Sequence, residues 1–151
     1  MTQRVYEFVK NLELKGRILE VGSLDVNGNV KELFDNYTGV DMRPGKNVDV
    51  VAKANNLPFF NESFDHVLCL ETLEHDDCFW KSILEMKRVL KKGGKLVITV
   101  PGIEFPKHEY PKDYWRFTKE AVEVLLQDLI EISITENVDE NVIFGCGIKP
   151  T

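Results

Sequence analysis

Residues 17–41, RILEVGSLDVNGNVKELFDNYTGVD, restrict the fold more than any other stretch of the chain. Arg17-Ile18-Leu19-Glu20-Val21 is short and, between Arg17 and Glu20 and again at Val21, apolar, as a strand covered on both faces should be. It stops at Gly22, and a small polar turn follows. Val30, Leu33, Phe34 and Tyr37 then fall at helical spacing, which predicts a helix over about 28–36. A second short strand, Thr38-Gly39-Val40, ends in Asp41. Strand, glycine turn, helix, strand and acid make half of a nucleotide-binding α/β unit, and Asp41 lies 21 positions beyond Glu20. A ribose-binding carboxylate is expected about 20 residues past such a strand, so adenosine is expected here.

The remaining chain extends this unit. Residues 3–13 carry Val5, Phe8, Val9 and Leu12 on one helical face. Val48–Val51 follows too short a connection for a normal parallel crossover, so it is either a brief peripheral strand or an extended loop. Phe64–Leu70 reads as a strand, and Asp76 or Asp77 caps a helix running to about residue 91. Lys95–Val100 is the next strand. Residues 101–117, PGIEFPKHEYPKDYWRF, have no regular period and hold three prolines and five aromatics, the composition of a binding loop or lid. Thr118 caps a helix through Val122, Leu125, Leu126 and Leu129. Ile130–Ile134 and Val142–Phe144 are too close in sequence for a crossover and must pair as an antiparallel hairpin.

Length and composition narrow the classes. The 151 residues suit a single domain over 1–151. No apolar run approaches the roughly 20 residues of a membrane span, and the charged first residues do not read as a signal peptide. Cys69, Cys78 and Cys146 are odd in number and widely spaced. They read as free thiols in a reducing, cytoplasmic setting, with no metal site expected. A net charge of −6 disfavours a nucleic-acid partner. Lys87, Arg88, Lys91 and Lys92 read as the basic end of a helix, complementing its dipole.

Taken together, ILEVGS (18–23), GVD (39–41), LPF (57–59), FDHVLCLETLEH (64–75), RVLKKGGKLVITVP (88–101) and PKDYWRFT (111–118) resemble the class I S-adenosylmethionine-dependent methyltransferases, specifically the type 11 methyltransferase domain. The resemblance runs from Leu14 to about Leu129. It implies a Rossmann-like three-layer αβα sandwich, a mostly parallel sheet ending in the antiparallel hairpin, with S-adenosyl-L-methionine as cofactor. It further implies that Glu20 orients the cofactor's amino group and that Gly22 lets the backbone approach its carboxypropyl end. Asp41 would hold the ribose hydroxyls, with Met42 on the adenine face and Asn55 and Leu57 near the adenine edge. The backbone at Leu70 and Glu71 would close the pocket beneath the methionine portion. Two departures stand out. Only Gly22 remains of the usual glycine series, and Lys53 stands where relatives often carry an acid for the adenine amino group.

Methyl transfer from a sulfonium is an in-line displacement that needs alignment and water exclusion more than a catalytic triad. Candidate bases are His75 and His108, with His108 preferred because its loop should face substrate. Tyr110, Tyr114 and Trp115 either wall the acceptor site or plug the end of the sheet. The expected acceptor is a small molecule or glycan-linked group, bordered by residues 101–117, the first helix or a second subunit in a homodimer. Two other classes compete. A nicotinamide oxidoreductase shares the opening unit, but Leu24 occupies its second glycine position. A non-catalytic binding or regulatory module would keep the fold and accommodate both departures.

Overall fold

The computed structural model describes residues 1–108 and 112–151. Helix α1 (Gln3–Asn11) starts where the Thr2 side chain accepts a hydrogen bond from the Val5 amide, and it buries Val5 and Val9. The strands are β1 (Arg17–Val21), β2 (Asn36–Asp41), β3 (Val50–Val51), β4 (Phe64–Leu70), β5 (Leu90–Pro101), β6 (Ile130–Asn137) and β7 (Val142–Ile148). Helices α2 (Phe79–Val89) and α3 (Lys119–Leu126) flank β5 in the chain. The sheet has seven strands in the order β3-β2-β1-β4-β5-β7-β6. Pairing is parallel through β5; β7 then runs antiparallel to both β5 and β6. This is the Rossmann-like sandwich expected, with the hairpin at its end.

Alternation along the strands sorts the core into two layers. Leu19, Val67, Leu96 and Ile98 face α2 and α3, which supply Ile83, Met86, Val89, Val122 and Leu126. Ile18, Leu68, Val97 and Phe144 face α1. Gly145 places α3 directly on the backbone of β7, and Gly147 does the same for Leu129 just past it. A Cβ at Gly145 would stand 2.8 Å from Val122, and one at Gly147 would stand 2.9 Å from Leu129.

The helix expected over 28–36 does not form. A single 3-10 turn, Lys31–Leu33, stands in its place. Asp25 accepts from the Gly28 amide (2.8 Å) and the Asn29 side chain (2.7 Å), and Asn29 accepts from the Lys31 amide (3.0 Å). Such side-chain bonds compete with a helical ladder. The apolar spacing is nevertheless used. Val30 is fully buried, Leu33 and Phe34 pack against the α1 layer, and Tyr37 belongs to β2.

Other boundaries shift less. Helix α2 ends at Val89 and β5 begins at once, because the chain turns back into the sheet beside Phe64. Asp76 holds the Cys78 amide and the Ser82 hydroxyl at the start of α2. Strand β3 is the brief peripheral strand, pairing with Val40 and Asp41 at the sheet edge. Arg88 does more than complement a dipole: its guanidinium binds Leu57 O, Phe59 O, Asn61 and the Glu85 carboxylate, clamping the 57–61 turn. No helix among the described residues is long and apolar enough to cross a membrane.

Candidate functional site

The carboxyl ends of the parallel strands bring Glu20, Asp41 and Glu71 to one edge of the sheet, from β1, β2 and just past β4. Sites in open α/β sheets lie beyond these ends. Glu20 is buried beneath the surface, and its carboxylate accepts from the Tyr37 hydroxyl. Burial raises the Glu20 carboxyl to about 7, with the Tyr37 bond opposing the rise. The network continues outward. Asn47 donates to Tyr37 Oη (2.8 Å) and to Ser23 O (3.0 Å), and Ser23 Oγ donates to Asn47 O (2.8 Å).

Asp41 receives the Leu24 amide on one oxygen (3.1 Å) and the Arg43 amide on the other (3.0 Å). Each carboxylate oxygen has a further lone pair, so two acceptor positions remain. The loop after β1 is pulled onto β2 by the same kind of bond. The Gly22 and Ser23 amides both donate to Val40 O, and the Asp25 amide donates to Lys46 O. Gly22 has φ +78°, and a Cβ there would lie 2.2 Å from Thr72 Oγ1. The space that the glycine leaves open is therefore filled by Thr72, from the loop after β4.

Met42 is 58% exposed at the end of β2, and Val51, paired with Asp41, is 57% exposed. Together they offer an apolar surface beside the Asp41 carboxylate. Asn55 and Leu57 are anchored to α2: Asn55 donates to Cys78 Sγ (3.0 Å), and the Leu57 amide donates to Glu85 (2.8 Å). The Leu57 side chain lies in the core. Lys53 is exposed. Leu70 is buried in the α1 layer, and its carbonyl accepts from Thr72 Oγ1 (3.0 Å). Glu71 sits at φ +49°, uncommon for a residue with a side chain, and is held there by its amide bonding Thr99 O and Oγ1. Burial pushes its carboxyl up, while the N-terminal ammonium at 3.9 Å opposes this.

Beside Glu71, the rings of His75 and His108 meet edge to face, 4.8 Å apart. Glu74, 1% exposed, lies beneath both, and its bond raises the His108 imidazole. The loop carrying His108 is held by Arg116, which donates to Phe105 O, Pro106 O and the Asp113 carboxylate. That pairing holds Asp113 well below the usual carboxylate range. Arg116→Lys retains the charge but not the planar fork. It is expected to raise proteolytic cleavage at 105–108 and 112–116 severalfold at unchanged cleavage elsewhere; equal rates would show that the fork does not hold these residues.

The aromatic residues divide. Trp115 donates its indole N–H to Asp76 O (2.7 Å) and packs on Phe79 at 5.4 Å, covering the entrance to α2. Tyr114 is 45% exposed, and its amide donates to Glu74 O. Tyr110 lies outside the described residues. Tyr37, Asn47, Thr72 and Glu74 are the site residues that sequence reasoning missed. Tyr37 has the spacing of a helix face, and Glu74 carries only the signal of an acid just past a strand end.

Residues 13–98, more than half of the chain, match the family described as methyltransferase domain. The chain belongs to this family. It is 33% identical over 130 residues to an uncharacterized protein of Methanocaldococcus jannaschii, covering 78% of this chain and 62% of that one. It is 28% identical over 120 residues to the Mus musculus protein named "Probable tRNA methyltransferase 9B", covering 72% of this chain and 27% of that one. The chain thus spans less than two thirds of the length of these curated relatives. The structure of a Thermotoga maritima SAM-dependent methyltransferase has the same fold, with a TM-score of 0.74 at 22% identity over 95% of this chain and 87% of that one. The methyltransferase domain therefore places its strand-end carboxylates where the fold has its binding crevice.

Proposed function

We propose that this methyltransferase domain binds S-adenosylmethionine and transfers its methyl group to a small-molecule or glycan-linked acceptor. The observation that carries the reading is the row of Glu20, Asp41 and Glu71 at the carboxyl edge of β1, β2 and β4. The donor chemistry fits the cofactor. Asp41 keeps two acceptor positions for a ribose diol, Met42 and Val51 offer an apolar face for a base, and Glu20 and Glu71 complement a cationic amino acid. When bound, the cofactor supplies a methyl carbon activated by positive sulfur. The protein's part is to orient that carbon and exclude water. Where the acceptor begins protonated, His108 or His75 takes the proton, and Tyr114 borders the acceptor.

A second reading, a binding module without turnover, is favoured by one observation. The amides of Gly22, Ser23, Leu24 and Asp25 are all bonded within the protein. Calorimetric titration with S-adenosylmethionine and S-adenosylhomocysteine separates the possibilities. Absence of binding at millimolar concentration sinks the methyltransferase reading, and binding with no turnover on any acceptor favours the binding or regulatory module. Asp41→Ala is expected to weaken cofactor binding at least tenfold, about 1.4 kcal/mol; unchanged affinity refutes its ribose role. The net charge of −6 argues against a polynucleotide acceptor, and the tRNA-named relative makes tRNA the control acceptor. The free cysteines suit a reducing, cytoplasmic compartment, and a homodimer is a further proposal, tested by light scattering.

A further inference from the structure

Glu74, His75 and His108 converge more closely than a pair of candidate bases requires. Glu74 is almost completely buried, and its Oε1 has no hydrogen-bond partner among the described residues. Its Oε2 stands 3.8 Å from His75 Nε2 and 3.5 Å from His108 Nε2. The other nitrogen of each ring is already engaged. His75 Nδ1 is 2.5 Å from Lys112 O, while His108 Nδ1 faces Pro106 O (3.4 Å) and the Asp113 carboxylate (3.5 Å). These oxygens only accept, so each Nδ1 carries the proton. Without a proton on Nε2, each ring would face with a lone pair a carboxylate that also has only lone pairs. A cation between them removes the repulsion.

We propose that Glu74, His75 and His108 bind one divalent transition-metal ion with a coordination position left open. The spacing suits such an ion. Two ligands about 2.1 Å from a tetrahedral centre stand about 3.4 Å apart. The three ligand atoms here all lie within 4.8 Å of one another, and the carboxylate–imidazole separations of 3.8 and 3.5 Å are close to that spacing. Two imidazoles and one carboxylate favour Zn²⁺, Co²⁺, Mn²⁺ or Fe²⁺ over Mg²⁺ and Ca²⁺, which prefer oxygen ligands. Metal-bound histidines characteristically donate their second N–H to a carbonyl or carboxylate, the arrangement already in place at Lys112, Pro106 and Asp113.

The metal site stands without the methyl-transfer reading; its use at the acceptor rests on that reading. An ion with an open position there would bind an acceptor oxygen and lower its proton affinity, which selects hydroxyl acceptors. The test is titration of tag-free, metal-stripped protein with Zn²⁺ by calorimetry and with Co²⁺ by visible absorption. The expected result is one equivalent of Zn²⁺ at micromolar affinity or tighter and Co²⁺ bands displaced by Zn²⁺. Affinity should fall at least tenfold in His108→Ala and further in Glu74→Gln. His108 is 41% exposed, so its removal should leave the melting temperature of the metal-free protein unchanged and serves where Glu74→Gln fails to fold. Asp77→Ala, in the neighbouring Asp76-Asp77-Cys78 group, should bind as the parent does. No binding at millimolar Zn²⁺, binding indifferent to His108→Ala, or binding lost in Asp77→Ala overturns the proposal.

Discussion

Gly22→Ala is expected to destabilise the protein by about 3 kcal/mol, measured by chemical denaturation. Two effects combine. A side chain at φ +78° costs roughly 1–2 kcal/mol in the left-handed region. The added Cβ would also stand 2.2 Å from Thr72 Oγ1 and 2.3 Å from its Cγ2, an overlap that costs roughly 1–3 kcal/mol to relieve. Thr72→Gly placed in the same chain should recover the overlap but not the backbone cost, so the two substitutions will not be additive. A Gly22→Ala protein within 0.5 kcal/mol of the parent, the size of an ordinary surface change, would show that the loop rearranges freely.

The second large effect is a dependence on pH. Burial raises the Glu20 carboxyl from its ordinary 4.5 to about 7. Between those values the folded protein holds a proton that the unfolded chain has released. The resulting stabilisation is complete below pH 4.5 and is lost as pH rises through 7. Above pH 7, keeping an ionised Glu20 buried costs on the order of 3 kcal/mol relative to its protonated form. Glu20→Gln keeps an acceptor for the Tyr37 hydroxyl and removes the charge. Its melting temperature should exceed the parent's at pH 8, and the difference should shrink towards pH 5. Parallel melting curves across that range would mean that Glu20 does not titrate there. If the cofactor's ammonium engages Glu20, binding should also release a proton near pH 7 and be tighter at pH 8 than at pH 6.

Most of the sheet was legible because its central strands are nearly unbroken apolar runs, and short loops leave few ways to join them. The opening unit was only half legible. Val30, Leu33, Phe34 and Tyr37 have the spacing of a helix face, but one 3-10 turn followed by a strand buries the same side chains. Asp25 and Asn29 decided between these outcomes by bonding the backbone that a helix would have used. At the candidate site, Glu20, Asp41 and Glu71 stand out in the sequence as acids at the ends of apolar strands, and the fold brings them to one sheet edge. Glu74 and His108 lie 34 positions apart and meet only through the order β4-β5 and the return of the chain after β5. Trp115 was undecidable from sequence, since an aromatic in a proline-rich loop serves a ligand or a plug equally well. Its bond to Asp76 O and its contact with Phe79 commit it to packing.

The glycines of β7 carry a consequence for folding fidelity. Ile143, Gly145 and Gly147 face the layer of α2 and α3, while Phe144 and Cys146 point to the layer of α1, where Phe144 meets Phe8 at 4.9 Å. A slip of one residue exchanges the two sets. Phe144 would then be driven into Val122 and Leu126, where the correct alignment has no side chain, and a glycine would face Phe8 across a void. The misaligned hairpin is penalised on both faces at once, so the last strand pair can lock into the sheet in only one alignment.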